Sequence, residues 1–321
     1  MGNGLDLVIC GPDMSGTSTQ INDTIEFFRQ RNMQIRDMRG TEMDALFHAA
    51  VFKEHNQQHI SLKSFLADDQ VSENIKSELL RKITDLLIGG ATNEDLRIAS
   101  MVNNKVSTYV DPDSADVWIF EEPTKRGSGQ ENRAVEQQRS QYDSTTDPVA
   151  AALFHQGYRI SEYLRFRRIL RQKGKIIVRS RSEESACYQI RDPEQLPSGI
   201  DREAYIGLPG HAIAFKHAPT HLFVVCAPSD WTAEEYLRLK KERSNGRFVD
   251  DYEANVSYQL LINRRYASDW LENLYQEACE RHGGIPPSIR RFSIYDSKNT
   301  VREKMRSALN LILAGREQTN L

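Results

Sequence analysis

The chain has 321 residues, enough for one large domain or two ordinary ones, and 39% hydrophobic with 27% charged residues is a globular composition. A formal net charge of −3 removes any global electrostatic case for nucleic acid or an anionic membrane as partner. The cysteines Cys10, Cys187, Cys226 and Cys279 are far apart and form no CxxC or Cys/His set, so they read as reduced, mostly buried side chains. No run approaches the roughly 18 apolar residues of a membrane span, and no basic region followed by an apolar stretch opens the chain. The expectation is a cytoplasmic protein without membrane contact.

In chain order, the apolar run Leu7-Val8-Ile9-Cys10 reads as a buried strand. It leads into a glycine-rich turn, after which Thr17–Gln20 opens a helix-period segment, Ile21–Arg31, with Ile21, Ile25, Phe27 and Phe28 as its apolar face. Met33–Ile35 is a short strand, and Arg36–Thr41 a polar loop. Residues 42–116 look different: Met43–Phe52, Ser72–Leu87 and Glu94–Val102 have helical period, so this stretch reads as a helical insertion. Val117–Phe120 is a second buried strand, followed by Glu121–Gly129 and a polar segment, 130–147. A long helix is expected over Pro148–Lys173, a strand over Lys175–Val178, then Arg179–Gln189 and a loop-rich stretch, 191–216. His221–Cys226 is another strand. Pro228–Asp230 turns into a helix, which ends in the basic segment Lys240–Arg247. A long helix over Asp250–His282, a strand over Phe292–Tyr295 and a helix over Thr300–Leu313 close the chain. Strands alternating with helices predict an α/β fold, a parallel sheet covered on both faces that binds ligands at the carboxyl ends of its strands.

The glycine-rich turn carries the clearest chemistry. Strand, glycine loop and helix in that order form a phosphate-binding P-loop, in which backbone N–H groups and the positive helix terminus cradle phosphates. Against the pattern G-x-x-x-x-G-K-[ST], Gly11, Gly16 and Ser18 are in register, but Thr17 occupies the lysine position. Ser18 then supplies the hydroxyl on the Mg²⁺ side of a bound nucleotide. The bland alternative is a tight strand-to-helix turn that binds nothing. The histidines show no HExxH or other ligand spacing, so no protein-bound zinc is expected. The basic stretch Arg159–Arg181 admits three readings: a nucleic-acid stripe, a phosphate pocket at its inner end around Arg159, or a solvated helix face with the outer arginines on the surface.

Longer strings sharpen the reading. Gly11-Pro12-Asp13-Met14-Ser15-Gly16-Thr17-Ser18-Thr19-Gln20 resembles the loop of the thymidylate kinase family. Glu122-Pro123-Thr124 resembles that family's E-P strand end, although Arg36–Thr41 carries a fainter likeness to the same motif. Ala151–Arg159 is similar to its A-L-L-F helix, Ser185–Gln189 to its S-x-A-Y-Q, Pro219–Val225 to a later strand, and Arg243–Glu253 to its lid. These matches lie in the family order and cover residues 5–36 and about 117–313. The departures are Thr17, the pair Arg179-Ser180 in place of Asp-Arg, His155 at the stacking aromatic with Phe154 beside it, and Glu121 in place of an arginine.

The resemblance implies a three-layer P-loop kinase fold whose core is 1–41 and 117–321, interrupted by the insertion 42–116 and with a lid near 238–250. It implies transfer of the ATP γ-phosphoryl to a deoxynucleoside monophosphate, with dTMP as the first acceptor to consider and Mg²⁺ arriving with ATP. Gly11, Met14, Ser15, Gly16, Thr17, Ser18 and Thr19 would hold the nucleotide phosphates. Asp13, Arg179, Arg243 and Arg247 would act on the transferring group. Glu122, Pro123, Phe154, His155, Arg159, Tyr188 and Gln189 would bind the acceptor. Lys125, Arg126, Arg181, Arg238, Lys240 and Lys241 are further candidates for the missing cation. A homodimer and a partner-docking role for the insertion stay open, and no nucleic acid is expected. The rival is a catalytically silent nucleotide-binding or regulatory module, motivated by the loss of both the lysine and the family acid.

Overall fold

The computed structural model describes residues 4–13, 15–39, 112–122, 156, 159–160, 163, 167–244 and 255–319. Its core is a six-stranded sheet in the order β2-β3-β4-β1-β5-β6. The strands are β1 (Leu5–Cys10), β2 (Ile35–Asp37), β3 (Val117–Glu121), β4 (Ile176–Ser180), β5 (His221–Cys226) and β6 (Ser288–Ser293). Every pairing is parallel, so all six carboxyl ends lie along one edge.

The strand period of two sorts the side chains between two cores. Leu5, Leu7 and Ile9 of β1, with Ile119, Val178, Phe223 and Val225, meet one helical layer. That layer is α1 (Thr17–Arg29), the helix Ala233–Ser244 and the closing helix Lys298–Thr319. Val8 and Cys10, with Leu222, Val224 and Cys226, meet the other, built from helices Arg202–Gly207, Pro209–Lys216, Val256–Ala267 and Trp270–His282. The expected parallel sheet with helices on both faces is present, and all four cysteines are free and buried within it.

Asp6 breaks the apolar pattern of β1. It shares a face with Val8 and Cys10 and is fully buried. A buried carboxylate must be paired, and the chain supplies arginines from two directions. Arg179 of β4 lies opposite Val8 in the ladder, and its Nε is 3.0 Å from Asp6 Oδ1. Arg167 Nη2 is 2.9 Å from Asp6 Oδ2, and Arg171 Nη1 is 3.8 Å away. Glu183 closes the cluster, 3.4 Å from Arg167 and 3.7 Å from Arg179. This corrects the surface reading for Arg167 among the outer arginines: it points inward with Arg179, and both are sealed against acids.

Several element bounds differ from the sequence reading. The helix expected over Asp250–His282 is two, Val256–Ala267 and Trp270–His282, broken at an extended Ser268. Arg291 of β6 makes the break stable: Nε donates to Tyr266 O at 2.8 Å, Nη2 to Ser268 O at 2.6 Å, and both Nη atoms grip Glu272. The hydrophobic period continues across the break and hides it; the local signal is Ser268-Asp269, where Ser268 Oγ accepts from Trp270 N–H at 3.4 Å. Residues 191–216 contain two helices where loop was expected. Their signals were Asp201, an N-cap accepting from the Glu203 and Ala204 amides, and Pro209 in the first turn of the second helix. The last strand is Ser288–Ser293, earlier than its apolar end implied, because an edge strand tolerates partly exposed arginines. Of the helix Pro148–Lys173, the regular stretch described is Arg168–Gln172. The insertion 42–116 lies outside the described residues except for its end, which begins with a 3₁₀ turn, Pro112–Ser114.

Candidate functional site

The site begins where β1 ends. A Cβ on Gly11 would lie 2.2 Å from Val225 O, so only glycine lets the loop pass over β5. Ser15 N–H donates to Pro12 O at 3.1 Å, closing the turn. Gly16 then takes a left-handed φ of +85° and starts α1 without a side-chain cap. The first amides of a helix lack the usual intrahelical partner; here Thr19 and Gln20 N–H turn back onto Gly16 O at 3.0 and 3.2 Å, and this first turn holds no acidic residue to offset its positive end. Thr17 and Thr19 are half-buried, Ser18 is exposed, and Ser15 is buried with an Oγ that has no hydrogen-bond partner among the described residues. Local sequence therefore builds a tight glycine turn into the uncapped start of a helix at the carboxyl end of a central strand.

The two glycines make different demands. Gly16→Ala should cost about 1 kcal/mol, from backbone conformation alone, because a Cβ there meets nothing within 4 Å. Gly11→Ala should cost more, about 2–3 kcal/mol, because a β5 carbonyl must move. Urea midpoints at constant m-value test this order, and a more damaging Gly16 variant would refute it.

Beside the loop, the carboxyl ends of β4 and β3 add a second group. Asp13 is held by Arg181, with Nη2 2.6 Å from Oδ1, and by Gln259, with Nε2 3.2 Å from Oδ2. The Arg181 guanidinium lies 5.3 Å from the centroid of the Tyr188 ring. Glu122 leaves β3 with its N–H on Ser180 O at 2.9 Å. Its carboxylate meets Arg159, whose Nε and Nη2 are both 2.6 Å from Oε1. Arg159 also donates to Ser185 Oγ at 2.6 Å, to Ser182 O and Tyr205 OH at 3.3 Å, and to His211 Nε2. Gln156 Nε2 approaches the same His211 nitrogen at 3.1 Å, while His211 Nδ1 lies 2.7 Å from Tyr205 O. Two donors on Nε2 and a carbonyl at Nδ1 define a neutral imidazole protonated on Nδ1. A phosphate at Arg159 would have to displace some of these partners.

Electrostatics divide the buried groups. Burial pushes the Asp6 carboxyl up, but Arg179, Arg167 and Arg171 outweigh it and hold the group well below the usual carboxylate range. Glu183 is likewise lowered: burial opposes, while Arg179, Arg167 and Arg159 prevail. Its neighbour Glu184 goes the other way. Burial, then the Glu122 and Glu183 carboxylates, push it up to about 7. Glu184 is fully buried, and no side-chain donor among the described residues reaches either carboxylate oxygen.

Of the residues expected at the site, Gly11, Asp13, Ser15, Gly16, Thr17, Ser18 and Thr19 form the loop, with Tyr188 joined to it through Arg181. Glu122 and Arg159 meet each other, and Arg159 reaches back to Ser182 and Ser185 just beyond β4. Gln189 is buried nearby and bonds through its carbonyl to Ile200 N–H at 2.8 Å. Arg179 differs from the expectation: it lies inside β4, bound to Asp6 and Glu183 and donating to Ser182 Oγ, because the strand runs on past Val178 and turns it into the core. The alternative E-P end lies on edge strand β2, where Asp37 is clamped by Arg39 at 2.6 and 2.8 Å. Arg243 lies at the end of helix Ala233–Ser244, on which Arg238 and Lys241 are exposed. Met14, Pro123, Lys125, Arg126, Phe154, His155 and Arg247 lie outside the described residues. Sequence reasoning missed Asp6, Gln156, Glu183, Glu184, Tyr205, His211 and Gln259. Asp6 alone left a signal, as a charge inside an apolar run.

Fold and site together define a parallel α/β protein with a glycine turn and an uncapped helix start at the carboxyl end of its central strand, and a buried acid–arginine pair at the end of β3. Among solved structures the chain is similar to a thymidylate kinase from Ehrlichia chaffeensis, with 12% sequence identity and a TM-score of 0.42 over 96% of this chain and 99% of that one. No family model matches the chain, and no curated protein matches it. Among the described residues no helix is long and apolar enough to cross a membrane.

Proposed function

We propose that the protein is a nucleotide kinase that transfers the γ-phosphoryl of ATP to a nucleoside monophosphate, with dTMP the acceptor to test first. One observation carries the reading: the uncapped first turn of α1, entered through Gly11 and Gly16, beside the Glu122–Arg159 pair. The loop amides would hold the ATP phosphates. Arg159 would bind the acceptor phosphate, and Asp13 and Glu122 would flank the reacting groups. Tyr188 and Gln189, with Phe154 or His155 and Pro123, would contact the acceptor base. Phosphoryl transfer rests on positioning and charge stabilisation, and cations of the Arg238–Arg247 segment, Arg243 and Arg247 included, are candidates to close over the site. Mg²⁺ would come with the nucleotide. The exposed Ser18 hydroxyl at the start of α1 fits one ligand position, and among the described residues no group of three or more His, Cys, Asp or Glu forms a separate metal site.

A second reading, a nucleotide-binding module without turnover, is favoured by Thr17 at the lysine position and by the burial of Arg179 against acids, so that neither side chain adds a cation for phosphate chemistry. A coupled assay with ATP, Mg²⁺ and each monophosphate separates the two. ADP formation with one acceptor, and a higher rate in Thr17→Lys, is the expected result. A folded protein that ATP stabilises but that turns over no acceptor is the silent module. Failure of ATP to raise the Tm as well excludes both readings.

A further inference from the structure

Arg181 follows the last residue of β4 and has φ +67°, in the left-handed region. That conformation costs a non-glycine residue about 1 kcal/mol or more, so something must hold it there. Its N–H donates to Ile9 O at 3.2 Å, which ties it to β1 beside the start of the glycine loop. The side chain reaches the loop itself, 2.6 Å from Asp13, and lies against the Tyr188 ring. It keeps 29% exposure, whereas Arg159, Arg167 and Arg179 keep 2% each and are sealed against buried acids. Asp13 is itself 20% exposed, so this ion pair stands at the mouth of the loop. The loop that lacks its own lysine thus has a cation delivered to it from the neighbouring strand by a strained backbone.

We propose that Arg181 is the phosphate-binding cation of the loop and that it reads the terminal phosphate of a nucleoside triphosphate seated on residues 11–13 and 15–18. The inference rests on the nucleotide-binding reading above. A guanidinium is always charged and binds phosphate oxygens in a forked geometry, and a terminal phosphate offers it more charge and more oxygens than one carboxylate. Asp13 then has a defined part. It holds Arg181 at the loop before the ligand arrives and competes with the phosphate for it. Its charge orients the cation and also weakens binding.

The test is calorimetric titration of the full chain with Mg²⁺ and ATP, ADP or AMP, for wild type, Arg181→Met, Arg181→Lys and Asp13→Asn. In the wild type ATP should bind more tightly than AMP. Arg181→Met should cut that preference at least about tenfold, as expected for loss of one phosphate-directed cation, while AMP binding changes little. Arg181→Lys should keep part of the preference. Asp13→Asn should tighten ATP several-fold, and the gain should vanish when combined with Arg181→Met. A folded Arg181→Met protein with the wild-type ATP-to-AMP ratio overturns the role of Arg181 and leaves the nucleotide-binding reading standing. If Arg181→Met does not fold, unchanged or weaker ATP binding by Asp13→Asn overturns it instead. A wild type that binds none of the nucleotides overturns both.

Discussion

Asp6→Ala should cost about 3–5 kcal/mol, as much as truncating a large apolar side chain of the core. Asp6 sits in the central strand with no exposure, and the guanidinium groups of Arg167, Arg179 and Arg171 converge on it. Removing the acid takes the shared carboxylate away from three converging guanidinium groups, of which Arg167 and Arg179 also meet Glu183. Asp6→Asn, which keeps the shape and removes the charge, should be nearly as damaging. Urea denaturation at pH 7 measures both, and a loss under about 1 kcal/mol would show that the cluster is solvated or can rearrange. Acid should act on the same cluster. The folded pKa of Asp6 lies well below its unfolded value, so its contribution is present above the unfolded pKa and is lost as pH falls toward the folded one.

Glu184→Gln should change how stability depends on pH over a higher window. Glu184 titrates at about 7 in the folded chain and near the usual 4.5 when unfolded. The folded state therefore binds the proton more tightly, and this residue makes the protein less stable as pH rises from about 4.5 to 7. A shift of that size corresponds to about 3 kcal/mol at pH 8, where the carboxylate would be charged beside Glu122 and Glu183. His217 works in the opposite sense. Burial, then Arg171 and Lys216, lower it to about 4, so its contribution falls as pH drops below its unfolded value of 6.5. The difference between Glu184→Gln and wild type, taken at each pH, isolates Glu184. The variant should gain stability relative to wild type steadily from pH 4.5 to about 7 and level off above that. A flat difference would mean that Glu184 ionises normally and that water or a donor outside the described residues reaches it.

These predictions concern residues that a linear reading treats very differently. Gly11, Gly16 and the apolar run before them were legible because their demands are local. Arg179 was read as a phosphate-side cation because, just after the expected strand, it aligns with the family's Asp-Arg pair. In the fold it is still within the strand, and a residue within a strand faces a core. Arg167 and Arg171 looked like a solvated or nucleic-acid-binding face, since a helix exposing every third or fourth arginine has the same sequence as one burying them on an acid. Asp6, more than 150 positions away, decides between the two.

The sequence by itself determined the strand–glycine loop–helix unit, the parallel α/β class and the absence of the loop lysine. Those features follow from period, φ requirements and residue identity within a few neighbours. Only the tertiary structure decided which arginine meets which acid. A long charged side chain has no preferred partner along the chain. It takes one from whatever strand or helix the sheet order brings within about 3 Å, because a buried charge must be paired. That choice puts Arg179 in the core with Asp6 and Arg181, two residues on, at the loop with Asp13.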